Sequence, residues 1–462
     1  MPTSDSKGSA PLWRRVLIAL LVVAVLVVAD VALTLALEPY GGNTETVWYE
    51  YREHLDEQIG TLVVGTSVSQ NGINPQPLTE RLGEGALNLS SPCQSLDSSL
   101  AAIRLALDDH PEIHRVLLGT SYSELESADR LPYAASFAQA MSYGRSPIVA
   151  LRSLARLTAN TAVGRQSASL ACLAPYALNH VDFTPSAIRQ NIQRRLDCAS
   201  PLEARSIVEP SCIDLGHGFF NYTGTADFST TPWYEVVNRF VNSDSFNHDE
   251  LVALQVICDL CAERNVELIV FSPPQPVFQT ICVEELYPTN MALVQSIVED
   301  RGGVFVDFNM IDPALYAASD EEFGDAIHLN ADGAMRFSRL LADTITSIEA
   351  GDSLQERFFS YDRWNEYLET LDRIYFVYFD SAYEDGSLTL HAISHAGPRC
   401  NVEYLFEVQE EDGSWTKLGE WSSSPDLVFT RGGYQTYNVR VLARQAGATE
   451  PERYHYQTLT QL

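Results

Sequence analysis

Positively charged side chains are scarce in this sequence compared with negatively charged ones. Its 462 residues include 30 Lys and Arg against 61 Asp and Glu, a formal net charge of −31. Nucleic-acid binding needs clustered cationic side chains that neutralise phosphates, so this charge balance excludes nucleic acid as an expected partner. The balance is typical of a soluble, exposed protein surface.

Internal repeats and low-complexity tracts are also missing. No segment recurs with a period of roughly 20 to 50 residues, which excludes a solenoid or propeller array. The chain is too long for one ordinary hydrophobic core, so two or three domains are expected.

A second Cys-x-x-Cys pair is missing among the eight cysteines. Cys258 and Cys261 form half of a zinc-binding pattern, but neither a second pair nor a histidine pair follows at ligand spacing. The surrounding segment Leu251–Asn265 has the pattern of a helix. We therefore favour disulfides or buried thiols over zinc, and we expect neither a metal nor an organic cofactor.

One long apolar run lies near the N-terminus. Val16 to Leu37 is 22 residues long and apolar except for Asp30 and Thr34. As a helix it would extend about 33 Å, enough to cross a bilayer core. Cationic residues precede it and glutamates follow, so the positive-inside rule predicts residues 1–15 in the cytoplasm and the remaining chain outside. A cleaved signal peptide is the alternative, but the length of the apolar run favours a single-pass anchor (residues 16–37) in the cell membrane.

The connector after this run contains Trp48, Tyr49 and Tyr51. We interpret these side chains as interfacial aromatics, which are common where a span leaves the membrane.

Five short apolar segments alternate with helical segments in the predicted ectodomain, residues 38–350. The predicted strands are Thr61–Val64, Ala86–Leu89, Val116–Leu118, Val266–Phe271 and Val304–Asp307. This alternation indicates an α/β fold with a doubly wound, mostly parallel sheet. It is interrupted at about residues 124–248, where we expect a helical insertion because the segment is too long for a loop.

The C-terminal part of the chain has a different pattern. Residues 351–372 are predicted to form a linking helix, and residues 373–462 contain strand-like segments separated by glycines. This spacing favours an antiparallel β-sandwich of immunoglobulin or fibronectin type.

Two predicted strands end in closely similar sequences. The first is followed by Gly65-Thr66-Ser67 and the third by Gly119-Thr120-Ser121. Open α/β sheets bind ligands and catalyse reactions at the carboxyl ends of their strands. Both serines are therefore candidate nucleophiles, and Ser121 is the rival of Ser67.

A serine nucleophile needs a base and a carboxylate that orients the base. The sequence offers two Asp-x-x-His steps, Asp214 with His217 and Asp325 with His328. The second step lies between the last parallel strand and the last helix, which returns it to the sheet edge that carries Ser67. The first step lies in the insertion, in an aromatic loop that is either near a ligand or an ordinary surface turn.

With these residues, the chain resembles the SGNH (GDSL-type) hydrolase superfamily over roughly residues 45–350. It is most similar to the membrane-anchored branch that includes DltD and the alginate-acetylation proteins. In that superfamily the nucleophile follows the first strand in a Gly-x-Ser turn, and Asp-x-x-His closes the domain. The resemblance implies a sheet of SGNH or flavodoxin-like type, with Ser67 as nucleophile, His328 as base and Asp325 as its orienting carboxylate.

The resemblance also implies a substrate class. The chain would act as an acyltransferase or esterase on O-linked acyl groups of a cell-envelope glycopolymer. An acyl carrier and a membrane-bound O-acyltransferase are the partners implied with it.

Two of the family's sequence blocks depart from the expected pattern. The second-block glycine is missing near residues 88–90, and the third-block asparagine is missing near residues 119–122. These groups normally complete the oxyanion hole. The departures favour the alternative hypothesis of a non-catalytic scaffold that binds envelope polymer or an O-acyltransferase partner.

Other groups are candidates for the missing oxyanion and substrate contacts. They are the backbone amides of Ser67 and Ser90, the hydroxyls of Ser121 and Tyr122, and the side chain of His217.

Overall fold

A computed structural model of the chain describes residues 11–126, 131–142, 175–231, 246–281, 286–384, 387–429 and 436–460. The α-helices of these residues are α1 (Leu12–Leu37), α2 (Asn43–Glu53), α3 (Ser67–Gly72), α4 (Pro75–Leu82), α5 (Leu96–Asp109), α6 (Tyr122–Glu126), α7 (Leu131–Ser142), α8 (Pro185–Asp197), α9 (Pro201–Val208), α10 (His248–Arg264), α11 (Val277–Ile281), α12 (Tyr287–Glu299), α13 (Ala331–Glu349) and α14 (Tyr361–Leu368). The strands are β1 (Ile59–Gly65), β2 (Gly85–Asn88), β3 (Arg115–Gly119), β4 (Cys212–Asp214), β5 (Phe220–Tyr222), β6 (Glu267–Ser272), β7 (Val304–Asp307), β8 (Ile374–Glu384), β9 (Ser387–Ala396), β10 (Val402–Gln409), β11 (Trp415–Lys417), β12 (Asp426–Phe429), β13 (Thr436–Gln445) and β14 (Arg453–Thr460).

Five parallel strands form the central sheet, in the order β2-β1-β3-β6-β7. The predicted parallel sheet is confirmed, and each strand coincides with its predicted segment to within two residues. The direction in which successive strands are added reverses at β1, so β1 and β3 flank the switch point where α/β sheets bind ligands. Gly65 pairs with Gly119, and the two strands therefore end level with each other.

Two groups of helices flank this sheet. Helix α5 packs on β1 and α10, and α10 packs on α12. Helix α13 packs on α3 and α4 instead. Its buried residues Phe337, Leu341 and Ile345 recur at helical spacing, which explains why this segment forms an amphipathic helix against the core.

Helix α1 is apolar apart from Arg14, Arg15, Asp30 and Thr34, and none of its residues is buried. It is long and apolar enough to cross a membrane.

The interfacial interpretation of the connector is wrong for Trp48 and Tyr51. Both belong to α2 and are fully buried in the α/β core. Their rings meet edge to face at 5.4 Å, and the Tyr51 hydroxyl donates to Asp109 at 2.7 Å. The chain therefore enters the folded domain directly after α1.

The insertion is described in part, since residues 127–130, 143–174 and 232–245 lie outside the described residues. Its described part contains four α-helices, α6 to α9, together with an antiparallel hairpin, β4–β5, that was not predicted. Phe219 and Phe220 of this hairpin are buried, so the aromatic loop at residues 214–222 is a hairpin packed on the core.

Two antiparallel sheets form the C-terminal part, with strand orders β11-β10-β13-β14 and β12-β9-β8. They share an apolar core that includes Phe379, Leu390 and Val441. The linking helix is shorter than predicted, because only α14 and a 3-10 turn before it are helical. The sheets dock on the α/β unit, where Phe376 of β8 stacks on Phe278 of α11 at 5.1 Å.

Cys258 and Cys261 lie buried on α10. Burial raises the pKa of the Cys258 thiol to about 11 and that of Cys261 to about 12. The six cysteines within the described residues are all free thiols.

Candidate active site

Ser67 occupies the sharp turn between β1 and α3. Thr66 caps the helix, and its hydroxyl accepts the Val68 N–H at 3.4 Å. Gly65 permits a close approach, because a Cβ at this position would lie 2.5 Å from the Gly119 carbonyl oxygen. The turn leaves Ser67 half-buried at the carboxyl edge of the sheet.

The Asp-x-x-His loop is held by its own aspartate. Asp325 Oδ1 accepts the Ile327 N–H at 2.9 Å and the His328 N–H at 2.8 Å. Gly324 N–H donates to the His328 carbonyl at 2.8 Å. Two residues later Asn330 caps α13 by accepting the Gly333 N–H at 3.0 Å. These bonds fix the loop between the sheet and the helix.

The loop brings three predicted side chains together. His328 Nε2 lies 2.8 Å from Ser67 Oγ, and His328 Nδ1 lies 2.7 Å from Asp325 Oδ2. With the Nδ1 proton donated to Asp325, Nε2 is the acceptor for the serine hydroxyl. This is the nucleophile, base and carboxylate order of a catalytic triad.

The electrostatics of the loop favour an ionised Asp325. Burial acts to raise the pKa of this carboxyl, but the hydrogen bond and charge of His328, together with two backbone N–H groups, lower it below the usual value. An ionised carboxylate at this position stabilises a protonated imidazole during proton transfer.

Ser121 has different surroundings from Ser67. It is buried, its hydroxyl lies 3.3 Å from Ser123 Oγ, and it accepts the Glu124 N–H at 3.4 Å. Its side chain therefore caps the start of α6. The neighbouring Tyr122 is also buried, and its hydroxyl accepts from Asn290 Nδ2 at 2.7 Å.

Residues 88–90 lie directly beside α3. Asn88 Nδ2 donates to the carbonyls of Ser69 at 3.1 Å and Ile73 at 2.9 Å. Asn88 Oδ1 accepts the Ser90 N–H at 2.9 Å. The Ser90 backbone N–H, predicted from the sequence as a candidate oxyanion donor, is therefore already bonded to a side chain. The Ser90 hydroxyl is buried and has no hydrogen-bond partner among the described residues.

His217 belongs to a separate cluster with His54 and Glu57. Glu57 lies 2.8 Å from His54 Nδ1 and 3.1 Å from His217 Nε2. The imidazole rings stack with centroids 4.1 Å apart and planes 11° apart. One ligand atom from each of the three side chains lies within 4.8 Å of the others, a spacing at which they could hold a metal ion. Asp214 accepts the Gly216 N–H at 2.8 Å, and His217 faces Glu57 and not Asp214. This Asp-x-x-His step therefore lacks the contact between carboxylate and imidazole that Asp325 and His328 make.

Sequence reasoning missed the role of the β4–β5 hairpin. Asn221 of this hairpin is buried, and its Nδ2 donates to the Asn71 carbonyl at 2.6 Å and the Leu329 carbonyl at 3.1 Å. One side chain thus ties the end of α3 to the loop that carries His328. An asparagine in an irregular insertion offers no periodic signal that would have identified this contact.

Comparison with known proteins does not assign the chain to a family, because no family model matches it and no curated protein is significantly similar to it.

Proposed function

We propose that this chain is a membrane-anchored serine acyltransferase or esterase of SGNH type that acts on O-acyl groups of a cell-envelope glycopolymer. The observation that carries the proposal is the continuous hydrogen-bond chain from Ser67 Oγ through His328 to Asp325, with distances of 2.8 and 2.7 Å. A flavodoxin-like sheet order supports the proposal, since the serine follows a strand at the switch point.

In this mechanism Ser67 Oγ attacks the ester carbonyl while His328 Nε2 takes the hydroxyl proton. Asp325 stabilises the imidazolium that results. The tetrahedral intermediate collapses, the ester C–O bond breaks, and His328 returns the proton to the departing alkoxide. An acyl-Ser67 ester remains. Water or a polymer hydroxyl then attacks it, again with His328 as base, which gives hydrolysis or acyl transfer respectively.

The oxyanion of this intermediate needs hydrogen-bond donors, and the Ser67 backbone N–H is the nearest candidate. The first N–H groups of a helix have no partner within the helix, and Ser67 opens α3. The Ser90 hydroxyl is a second candidate because it is buried without a partner. Removing one oxyanion donor costs about 3–4 kcal/mol in well-studied serine enzymes, so the missing family residues predict a slow enzyme.

Helix α1 supports a location at the cell membrane. As a single-pass anchor with a cytoplasmic N-terminus, it would hold the α/β unit at the outer face of the cell membrane. Envelope polymers, acyl carriers and a membrane-bound O-acyltransferase would be within reach there. The C-terminal sheets, which we assign to an immunoglobulin or fibronectin type of sandwich, would serve as an interaction or spacer module.

A fluorophosphonate probe on the full chain in detergent tests the proposal. We expect labelling of the wild type and of Ser121→Ala, and none of Ser67→Ala. Ser121→Ala is a matched control, since this serine follows a neighbouring strand in the same kind of sequence. Labelling that is lost only in Ser121→Ala would contradict the assignment of the nucleophile.

A non-catalytic scaffold is the second candidate function. The observation that favours it is that Asn88 Nδ2 is fully used by two backbone carbonyls, so the sole asparagine in the 88–90 segment has no donor to spare for an oxyanion. A folded wild type that binds envelope polymer and does not react with the probe would establish this alternative.

A further inference from the structure

Helix α8 of the insertion lies against the end of α1. The Val181 N–H donates to the Leu37 carbonyl at 2.8 Å, just before α8 begins. Ten residues further on, Asn191 Nδ2 donates to the carbonyls of Ala36 at 3.2 Å and Glu38 at 2.7 Å. Both contacts are at the same level of α1, so the segment from Val181 to Asn191, which includes the first half of α8, lies against the end of that helix.

The segment before α8 also lies along α1. The Tyr176 side chain faces Asp30, which lies seven residues before the end of α1. At 1.5 Å per residue this contact is about 10 Å from the end of the helix. Residues 175–181 therefore follow the last two turns of the predicted membrane span.

Helix α8 exposes an apolar stripe. Ile188, Ile192 and Leu196 recur at a spacing of four residues, and Asn191 is the one buried residue of this helix. Leu196 is 74% exposed, and Phe183, just before the helix, is 66% exposed. They are the two most exposed large apolar side chains outside α1 in the described part of the chain.

The charge of α8 is opposite to that of the whole protein. Arg189, Arg194 and Arg195 stand against Asp197, a net charge of +2 in a chain whose formal net charge is −31. Arg195 is engaged within the protein, since it donates to the Glu38 carbonyl at 2.8 Å, so Arg189 and Arg194 are the two arginines that α8 offers to a membrane. Apolar side chains next to arginines on a short helix are the pattern of a helix that lies in a membrane interface. Arginines there contact the anionic phosphates of lipid headgroups.

We propose that α8 and Phe183 bind the surface of the bilayer that α1 crosses, on the side that carries the folded domains. The stripe would lie at the boundary between headgroups and acyl chains, and Arg189 and Arg194 would contact the phosphates. The proposal rests on α1 being a membrane span and not on the chemistry of Ser67. Because α1 tethers α8 at the membrane, even a weak lipid contact would be populated.

Such a contact would fix the orientation of the candidate active site. Asn43 of α2, six residues after the end of α1, accepts a hydrogen bond from Gln70 Nε2 of α3 at 2.5 Å. Ser67 opens the same helix α3. A second membrane contact besides α1 would therefore hold the serine at a set height and direction above the lipid surface.

Photo-crosslinking of the full chain in nanodiscs tests this proposal. The discs contain phosphatidylcholine and phosphatidylglycerol with a trace of a phospholipid that carries a diazirine in its acyl chain, and lipid adducts are mapped by mass spectrometry. We expect adducts on α1 and on residues 183–197. For the Leu196→Glu variant we expect adducts on residues 183–197 to fall about tenfold, because the contact between the leucine and the lipid acyl chains is lost. Adducts on α1 should not change.

Leu315→Glu is the matched control, since Leu315 is also exposed, at 56%, and lies far from α1 in sequence; it should leave all adducts unchanged. Adducts on α1 without adducts on residues 183–197 would overturn the proposal. Absence of adducts on α1 would show that α1 does not cross the bilayer and would overturn the proposal. The labelling of Ser67 by fluorophosphonate would be unaffected by that result.

Discussion

Asp325 makes two kinds of contact that require different oxygens. Oδ1 accepts two backbone N–H groups and shapes the loop, while Oδ2 faces the imidazole of His328. An asparagine can keep the first contact through its carbonyl oxygen but presents an NH₂ group to the ring. Loop geometry and imidazole orientation can therefore be separated by one substitution.

We expect Asp325→Asn to lower the rate of fluorophosphonate labelling by about 10³- to 10⁴-fold with the fold unchanged, because the ring is then held in the wrong tautomer. Stopped-flow or gel-based labelling rates, with circular dichroism for folding, measure this. Asp214→Asn is the control from the other Asp-x-x-His step and should leave the rate unchanged. Equal effects of the two substitutions would show that Asp325 has no special role.

The two Asp-x-x-His steps also show what a short motif can predict. Both have the same spacing, but only their positions relative to the strands distinguished them in the sequence. In the structure the Asp214 side chain turns back to the Gly216 N–H, and His217 faces Glu57. Asp325 and His328 reach Ser67 because the order of strands and helices determines which loops share a sheet edge.

At the scale of elements, the level ends of β1 and β3 depend on two glycines. Gly65 and Gly119 are paired, and the side chain of Ser69 fills the space beside them. A Cβ on Gly119 would lie 1.9 Å from Ser69 Oγ and 3.0 Å from Phe271 Cζ. The repeated Gly-Thr-Ser sequence was interpreted for its serines, but the glycines are what allow α3 to start against the neighbouring strand.

We expect Gly119→Ala to lower the free energy of unfolding by about 1–3 kcal/mol through overpacking. Ser69 Oγ has no hydrogen-bond partner, so Ser69→Ala alone should change stability little. In the double variant the clash with Oγ is removed, and part of the loss should be recovered. Urea unfolding followed by tryptophan fluorescence measures all three variants. A double variant no more stable than Gly119→Ala would contradict this account of the clash.

The connector shows an element that pattern reasoning placed wrongly. Aromatic residues just after an apolar span are typical of the membrane interface, yet Trp48 and Tyr51 pack in the core. Their partners Phe137 and Asp109 are distant in sequence. Because the partners that bury Trp48 and Tyr51 are far away in sequence, the 11 residues of α2 carry no local pattern that would have predicted this burial.

At the scale of the whole molecule, the junction between α1 and the folded domain carries buried acids. Glu38 is 5% exposed and lies 3.6 Å from Arg195. Burial, together with the charge of Glu45, raises the pKa of Glu38 to about 7 despite the opposing effect of Arg195. The folded chain therefore favours the protonated acid more than the unfolded chain does.

This pKa predicts a pH dependence of stability. The contribution of Glu38 is fully present below its unfolded pKa of 4.5 and is lost as the pH rises through about 7, a loss of up to about 3 kcal/mol. Glu38→Gln should remove this part of the decline between pH 5 and pH 8. Differential scanning fluorimetry of the full chain in detergent measures it. The exposed control Glu263→Gln should retain the wild-type decline, and a Glu38→Gln profile parallel to wild type would contradict the prediction.

The sequence by itself determined the apolar N-terminal helix, the α/β class, most strand positions and the three residues that meet at the sheet edge. These depend on periodicity, on turn residues and on the order of elements, all of which are local or follow from chain order. Only the tertiary structure decided which side chains are already engaged: Ser121 as a helix cap, Asn88 and Asn221 as ties around α3, and α8 against the end of α1. Such contacts join residues far apart in sequence, and a hydrogen bond between them leaves no periodic trace in either segment.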